Sequence, residues 1–322
     1  MRKIFAHCFL NADQKKYLEN NFSVNIHNAN EKILSSDELI KYASGYDGII
    51  SQGNLISNQY IKKNSNILKV ISNVSVGYDN VDIEYASKHK VAILNTPNIL
   101  DEAVADLALG LIISTARKIC EGNSYVKAGK WKKNSWPLFL GEDLNNEVLG
   151  IIGMGNIGKK VAIRANAFNL KIIYHNRNRL DDKEEDTYNA VYSDLNSLLK
   201  LSKYVLILAP LNNQTEHLMN KYTFAYMRKD AFIINIARGK IIKEDDLVEV
   251  LENKTIAGAG LDVFEYEPKV SKKLMSMTNT VLMPHAGSAT HTTRRAMVEL
   301  ACKNINDYLL FNNRDNLVNK NF

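Results

Sequence analysis

Several features typical of membrane or secreted proteins are scarce in this sequence. Among 322 residues there are three cysteines, Cys8, Cys120 and Cys302, whose wide spacing favours neither a metal site nor a disulfide framework. No run approaches the roughly 18 apolar residues that cross a bilayer. The short apolar run in residues 1–10 lacks the small-residue cleavage site of a signal peptide. We therefore expect a soluble, cytoplasmic protein that binds no membrane and no metal.

Strong charge of one sign is also missing. The formal net charge is +6, and basic pairs such as Lys62-Lys63 and Lys132-Lys133 are separated by acidic residues. Proteins that bind nucleic acid usually concentrate positive charge on one face or arm, so we expect no nucleic-acid partner. A mildly positive protein suits an anionic substrate and an anionic cofactor.

The sequence does contain a regular alternation of short β-branched runs and longer amphipathic stretches. This alternation predicts parallel sheets covered by helices on both faces. The length suggests about two domains, at roughly 100–200 residues per domain. The predicted strands are Ile49–Ile50, Leu68–Ile71, Ala92–Leu94, Val148–Ile152, Lys171–Tyr174, Tyr204–Leu208, Ala231–Ile234, Gly258–Leu261 and Thr280–Met283. The predicted helices include Asp101–Lys118, Lys159–Phe168, Tyr192–Leu199 and Asp245–Leu251.

A glycine-rich turn follows the strand Val148–Ile152 and precedes a predicted helix. Its GxGxxG pattern in this context is typical of a dinucleotide-binding fold. The first glycine permits a tight turn, the second lets the backbone approach a pyrophosphate, and the third lets helix and strand pack closely. The helix N-terminus then offers N–H groups to the phosphates. The residues of this turn are Gly153, Met154, Gly155, Asn156, Ile157 and Gly158.

The chain after the next strand, Lys171–Tyr174, is expected to lie beside the adenosine ribose. Enzymes that use NAD usually have a carboxylate there, but this sequence has Asn176 and Arg177, with Arg179 close by. A carboxylate would repel a 2′-phosphate, whereas arginine can hold it with two hydrogen bonds. The pattern predicts NADP(H) in preference to NAD(H), although the arginines could also be solvated surface charges.

Three further segments each follow a predicted strand. In an open α/β sheet, ligands bind beyond the carboxyl ends of the strands, so these segments can converge beside the glycine turn. They are Asn235–Gly239 (NIARG), Leu261–Pro268 (LDVFEYEP) and Pro284–Thr290 (PHAGSAT).

Together with the glycine turn and Asn73–Asp82 (NVSVGYDNVD), these segments closely resemble the D-isomer-specific 2-hydroxyacid dehydrogenases, and most of all the glyoxylate/hydroxypyruvate reductases among them. The resemblance covers essentially the whole chain and keeps the motifs in order. It implies two doubly wound parallel-sheet α/β domains. Residues 1–98 and 288–322 would form a flavodoxin-like substrate domain, and residues 99–287 an NAD(P)-binding Rossmann domain.

The family's catalytic Arg–Glu–His set falls on Arg238, Glu267 and His285. The chemistry agrees, because reducing a ketone needs a hydride at carbon and a proton at oxygen, and histidinium is a suitable acid near neutral pH. Glu267 could orient the His285 ring, with Glu265 as a rival for this role. Arg238 could bind the substrate carboxylate and polarise its carbonyl.

The resemblance implies further binding roles. Asp262 would hydrogen-bond the nicotinamide carboxamide, although a turn or cap role is an alternative. Val76 and Gly77 would offer N–H groups to the substrate carboxylate, together with Arg238 and His285. The remaining expected cofactor contacts are Ala209, Pro210, Thr215, Ile236, Ala237, Arg238, His285 and Gly287.

These inferences predict an NAD(P)H-dependent reductase that converts a small 2-oxo acid into a D-2-hydroxy acid. Alternatives with the same fold are a dinucleotide-binding transcriptional corepressor and 3-phosphoglycerate dehydrogenase. Family resemblance also predicts a homodimer through residues 100–140, where Trp131, Trp136 and Phe139 could be interface anchors or could pack within the chain.

Overall fold

The structure is a computed structural model that describes residues 1–320. It contains two compact units. One comprises Met1–Leu100 and the chain from Ala289 onward, and the other comprises Asp101–Ser288. The division expected from the sequence lies one or two residues away, near residues 98 and 288. Residues 321 and 322, which the sequence assigns to the first domain, lie outside the described residues.

The first unit is built on a five-stranded parallel sheet. The strands are β1 (Lys3–His7), β2 (Ser23–His27), β3 (Gly48–Ser51), β4 (Val70–Asn73) and β5 (Ala92–Leu94). The helices are α1 (Ala12–Glu19), α2 (Ser36–Tyr42), α3 (Asn58–Asn64), α4 (Ile83–Lys88) and α13 (His291–Phe311). The strand order is β2-β1-β3-β4-β5. One face of the sheet packs against α2, α3 and α4, and the other carries the long helix α13.

The segment after α13 covers the open edge of this sheet. Leu317 pairs antiparallel with Leu94, and the buried Asn319 accepts a hydrogen bond from the Ile93 N–H at 2.8 Å. The Asn319 amide also donates to the Val91 carbonyl at 2.9 Å. The exposed backbone groups of an edge strand favour unwanted pairing, and this segment occupies them on β5.

The second unit is built on a parallel sheet with the strand order β12-β11-β10-β9-β6-β7-β8. Its strands are β6 (Val148–Ile152), β7 (Lys171–His175), β8 (Ala190–Tyr192), β9 (Tyr204–Ile207), β10 (Phe232–Asn235), β11 (Gly258–Leu261) and β12 (Thr280–Leu282). Its helices are α5 (Asp101–Ala116), α6 (Ile119–Lys127), α7 (Asn156–Ala167), α8 (Asp182–Tyr188), α9 (Leu195–Leu201), α10 (Lys221–Phe224), α11 (Glu244–Glu252) and α12 (Lys272–Ser276), with a 3₁₀ turn at Gly239–Ile241.

Hydrophobic contacts on both faces hold the second sheet in place. Helices α9, α10 and α11 contribute to a large apolar cluster on one face, and α5 packs against α7, β10 and β11 on the other. The first of these helices along the chain, α5, is mostly apolar and ends at Ala116, because Lys118 adopts a left-handed conformation with φ of 52°. Within residues 1–320, no helix combines the length and the apolar character needed to cross a membrane.

The predicted fold class is confirmed, since both units are doubly wound parallel α/β structures. The two strand orders match the flavodoxin-like and Rossmann arrangements. Three strands were missed in the sequence, namely β1, β2 and β8. The segment Tyr192–Leu199 was predicted as one helix. In the structure, Tyr192 is the last residue of β8, and α9 begins at Leu195.

Candidate active site

The carboxyl edge of the seven-stranded sheet carries almost all of the residues singled out in the second unit. The strands are parallel, so the turns that follow them lie at one edge. The glycine turn follows β6, Asn176 and Arg177 follow β7, Ala209 and Pro210 follow β9, Ile236, Ala237 and Arg238 follow β10, Asp262 and Glu267 follow β11, and His285 and Gly287 follow β12.

The glycine turn lies between β6 and β9, where the strand order reverses. Gly153 has a φ of +105°, and a Cβ added to it would lie 2.5 Å from the Ala209 nitrogen. Gly155 precedes α7, and an added Cβ there would meet nothing within 4 Å. Such a crevice, open above a helix N-terminus, fits the pyrophosphate of a dinucleotide.

Asn176 braces this turn from the end of β7. Its Oδ1 accepts a hydrogen bond from the Met154 N–H at 2.6 Å, and its Nδ2 donates to the Met154 carbonyl at 3.3 Å. A carboxylate could make only the first of these contacts, because it has no proton to donate. The sequence had assigned Asn176 only to the cofactor ribose.

The two arginines beyond Asn176 have different surroundings. Arg179, expected to assist in phosphate binding, donates two hydrogen bonds to Glu185, at 2.9 and 2.6 Å. Glu185 also accepts one from the Tyr174 hydroxyl at 2.6 Å, and the Arg179 contact lowers the pKa of Glu185 to about 2. Arg177 is exposed and makes no hydrogen bond or ion pair with any of residues 1–320. It is therefore the arginine available to an anion.

The loop after β9 is closed by its own threonine. The Thr215 hydroxyl donates to the Pro210 carbonyl at 2.6 Å and accepts from the Asn212 N–H at 2.8 Å. These bonds fix the exposed loop that leaves the sheet beside Gly153. Thr215 thus has a structural role in addition to the cofactor contact expected from the sequence.

Asp262 holds the loop that contains His285. Its carboxylate, 1% exposed, accepts hydrogen bonds from the N–H groups of Ala286 and Gly287 at 2.7 and 2.8 Å. The Asp262 carbonyl accepts a third from the His285 N–H at 2.8 Å. Burial raises the pKa of Asp262 although these N–H groups favour its ionised form. The structure therefore shows Asp262 bracing this turn, the alternative that the sequence had left open beside a nicotinamide contact.

His285 and Glu267 form a direct pair. The ring Nδ1 lies 2.8 Å from Glu267 Oε2, while Glu267 Oε1 accepts from the Phe264 N–H at 2.9 Å. An ionised carboxylate at Nδ1 keeps a proton on that nitrogen and leaves Nε2 for the other ring contact. The rival glutamate is elsewhere, because Glu265 lies 2.7 Å from the Nε2 of His217.

The charge of Glu267 is stabilised by its neighbours. Burial acts to raise the pKa of Glu267, while the hydrogen bonds from His285 and from the Phe264 N–H act to lower it. The charges of His285 and Arg238 act in the same direction, and the pKa of this carboxyl lies below its ordinary value. The three residues expected to be catalytic are thus close enough to interact.

A side chain to which the sequence gave no role positions Arg238. The buried Asn235 accepts from the Ala237 N–H at 3.1 Å and donates to the Arg238 carbonyl at 2.9 Å, which closes the turn after β10. Asparagine commonly closes a turn in this way, and that preference was the available signal. The Arg238 guanidinium also donates to the Ala237 carbonyl at 2.8 Å.

In the first unit, Val76 and Gly77 follow β4. Their carbonyls are both occupied, by Asn95 Nδ2 at 2.9 Å and by the Ser75 hydroxyl at 2.6 Å. Their N–H groups donate no hydrogen bond within residues 1–320. A loop with satisfied carbonyls and two available N–H groups suits an anion such as a carboxylate. Ser75 and Asn95 were not predicted from the sequence.

Known proteins resemble this chain along most of its length. Residues 109–287 match the NAD binding domain of the D-isomer specific 2-hydroxyacid dehydrogenases. A glyoxylate reductase of Pyrococcus horikoshii is 40% identical over 90% of this chain and 87% of its own. A glyoxylate/hydroxypyruvate reductase B of Klebsiella pneumoniae is 38% identical over 95% of both chains.

Among solved structures, the NADPH-dependent glyoxylate/hydroxypyruvate reductase of Sinorhizobium meliloti in complex with NADP and malonate has a TM-score of 0.87. It is 29% identical, over 98% of this chain and 96% of that one. The resemblance inferred from the motifs is confirmed by these matches. The chain belongs to the D-isomer specific 2-hydroxyacid dehydrogenase family.

Proposed function

We propose that this protein reduces a small 2-oxo acid, of the glyoxylate or hydroxypyruvate type, to the D-2-hydroxy acid. The observation that carries the proposal is the His285–Glu267 pair at 2.8 Å, with Arg238 near it, at the edge that also holds the glycine turn. Curated relatives that share 38–40% of its residues are named as reductases of these acids.

Each side chain has a defined task in this reaction. A bound nicotinamide cofactor would supply the hydride. His285 gives the proton from Nε2 to the substrate oxygen, while Glu267 holds Nδ1 and orients the ring. Arg238 binds the carboxylate and polarises the carbonyl. This chemistry needs no metal ion.

The cofactor that fits best is NADPH. Asn176 adds no negative charge at the end of β7, and the exposed Arg177 has no partner within residues 1–320 that competes with a 2′-phosphate. The glycine turn and the start of α7 would take the pyrophosphate. Ile236, Ala237 and Gly287, in the turns after β10 and β12, would border the nicotinamide end.

A substrate panel tests the proposal. Purified protein is mixed with NADPH or NADH and with glyoxylate, hydroxypyruvate or 2-ketogluconate, and cofactor absorbance is followed. We expect oxidation of NADPH with at least one acid and formation of its 2-hydroxy acid, with the D-configuration at C2 when the acid is hydroxypyruvate or 2-ketogluconate. Tight cofactor binding without turnover of any acid would instead favour a dinucleotide-binding corepressor.

The variant Glu267→Gln tests the carboxylate's role. Glutamine has a single acceptor oxygen, so it cannot accept hydrogen bonds from both Nδ1–H and the Phe264 N–H, as the two oxygens of Glu267 do. The His285 ring is then held less firmly, and we expect kcat to fall about tenfold or more with little change in the Kd of NADPH. Glu252→Gln, which changes a surface ion pair with Lys273, is the control. A kcat equal to that of the wild type would contradict the assignment.

We also propose that the protein works in the cytoplasm as a homodimer. The three free cysteines suit a reducing compartment, and burial raises the pKa of Cys302 to about 12, which keeps this thiol protonated. Around α6, an open groove of about 530 Å³ contains none of the predicted catalytic residues. Its aromatic and apolar lining includes the exposed Val126, Trp131 and Trp136 and the half-buried Tyr125, Leu138 and Phe139. We assign a second copy of the chain to it, because exposed tryptophans of this kind anchor interfaces.

Trp136→Glu should dissociate the dimer. Trp136 is 96% exposed in the single chain, and a buried unpaired carboxylate would oppose association. We expect light scattering at micromolar concentration to give a dimer mass for the wild type and a monomer mass for the variant. Tyr222→Glu, at a residue that is 71% exposed and outside the groove, should remain dimeric. A monomeric wild type would overturn the proposal.

A further inference from the structure

The second unit contains a second histidine–glutamate pair, formed by His217 and Glu265. Their Nε2 and Oε1 atoms lie 2.7 Å apart. Resting on the proposed function, we propose that His217 and Glu265 are positioning residues that hold Arg238 and Glu267 in their places. Neither is a catalytic residue in this account, because each acts through neighbouring backbone.

Glu265 ties the loop after β11 to the start of α11. Its side chain is 8% exposed. Its Oε2 accepts from the Glu244 N–H at 2.8 Å, and its own N–H donates to Glu244 Oε2 at 3.1 Å. Glu244 also accepts from the Ser271 N–H at 3.3 Å, and burial raises the pKa of Glu244. These hydrogen bonds with Glu265 fix Glu244, which lies at the end of the segment that begins at Arg238.

His217 ties a different loop to that same segment. Its N–H donates to the Lys240 carbonyl at 2.8 Å, and the Met219 N–H donates to the Ile241 carbonyl at 3.0 Å. The Lys243 N–H returns a bond to the Met219 carbonyl at 2.9 Å. The residues immediately after Arg238 are therefore held along the His217 loop.

The turn that carries Arg238 also lies directly on the backbone next to Glu265. A Cβ added to Gly239 would lie 1.9 Å from the carbonyl carbon of Phe264, so no side chain fits between them. The N–H of the same Phe264 donates to Glu267 Oε1. A shift of Glu265 would thus reach Arg238 through Gly239, and Glu267 through Phe264. The His217–Glu265 contact adds a direct connection between the His217 loop and the loop after β11.

The pair therefore links three loops whose relative positions set the catalytic geometry. A misplacement of about 1 Å can lower turnover by as much as a hundredfold, even when it begins outside the reacting groups. We expect Glu265→Ala to lower kcat/KM for the 2-oxo acid by about tenfold. Glu265→Gln keeps acceptors for the Glu244 N–H and a polar partner for His217, so it should retain most of the activity.

Three variants, Glu265→Ala, Glu265→Gln and His217→Gln, are compared with Glu252→Ala, which removes only the surface pair with Lys273. The readouts are kcat/KM, the Kd of NADPH, the melting temperature, and nitrogen-15 spectra of the histidine rings. We expect Glu265→Ala and His217→Gln to lower kcat/KM and to shift the His285 ring signals, with little change in the Kd of NADPH. If Glu265→Ala is poorly folded, His217→Gln gives the same test at a half-exposed position.

Two results would overturn the inference. In the first, Glu265→Ala and His217→Gln lower the melting temperature, while their kcat/KM and His285 signals match those of the wild type. The other is Glu265→Gln losing as much activity as Glu265→Ala. If the wild type reduces no 2-oxo acid, the proposed function fails, yet the His285 signals still decide whether the pair positions this ring.

Discussion

The variant His285→Ala is expected to reduce 2-oxo acids about a hundredfold or more slowly than the wild type, with nearly unchanged affinity for NADPH. Two contacts hold His285 in place. Glu267 contacts the ring at Nδ1, and the Asp262 carbonyl accepts a hydrogen bond from the His285 backbone N–H. Its Nε2 is then the group that can protonate the developing alkoxide. Alanine leaves that oxygen without an acid, while the glycine turn that would bind the pyrophosphate is untouched.

Single-turnover absorbance measurements give the chemical rate, and fluorescence titration gives the Kd of NADPH. His291→Ala is a suitable control, because His291 is exposed at the first position of α13 in the other unit. Turnover of His285→Ala near the wild-type value would exclude His285 as the proton donor.

The double variant Asn176→Asp with Arg177→Ala should weaken NADPH binding about ten- to a hundredfold and change NADH binding little. A charge-assisted hydrogen bond contributes roughly 1.5–3 kcal/mol, and 1.4 kcal/mol corresponds to a factor of ten in Kd. Aspartate at position 176 would repel the 2′-phosphate, and alanine at 177 removes the attraction. Aspartate can still accept the Met154 N–H, so the stronger of the two contacts with the glycine turn survives.

The comparison with Arg179→Ala sharpens this test. Glu185 already holds Arg179 with two hydrogen bonds, so we expect this single variant to change NADPH affinity much less than Arg177→Ala. Calorimetric titration with NADPH and NADH measures all of these values. A wild type that binds both cofactors equally, or a double variant that keeps its NADPH affinity, would contradict the proposed role of Asn176 and Arg177.

Most strands could be predicted because they are continuous apolar runs buried on both faces. β6 and β10 are examples, with four residues of each buried. β2 (SVNIH) was missed because it is an edge strand with alternating polar residues. β8 is also an edge strand, and only one of its three residues is buried. β1 lies inside its sheet, between β2 and β3, but its apolar run was considered only as part of a possible signal peptide.

The motifs predicted which turns meet at the sheet edge, because parallel strands place their carboxyl ends together. They did not predict which side chains brace those turns. Asp262 bonding to Ala286, and Glu265 to His217, join segments 24 and 48 residues apart along the chain. Such contacts depend on how loops approach one another in three dimensions. The resemblance to the family assigned Glu267 as the partner of His285, with Glu265 as a rival, and the structure shows the contact of Glu267 with His285 at 2.8 Å.

Transfer of a labelled hydride tests the central claim most directly. The purified protein is mixed with hydroxypyruvate and with NADPH that carries deuterium at C4 of the nicotinamide, in each of the two stereoisomers. We predict that one stereoisomer yields glycerate with deuterium at C2 and the D-configuration, as shown by mass spectrometry and chiral chromatography. Glycerate without deuterium from both stereoisomers, or product of the L-configuration, would contradict the account.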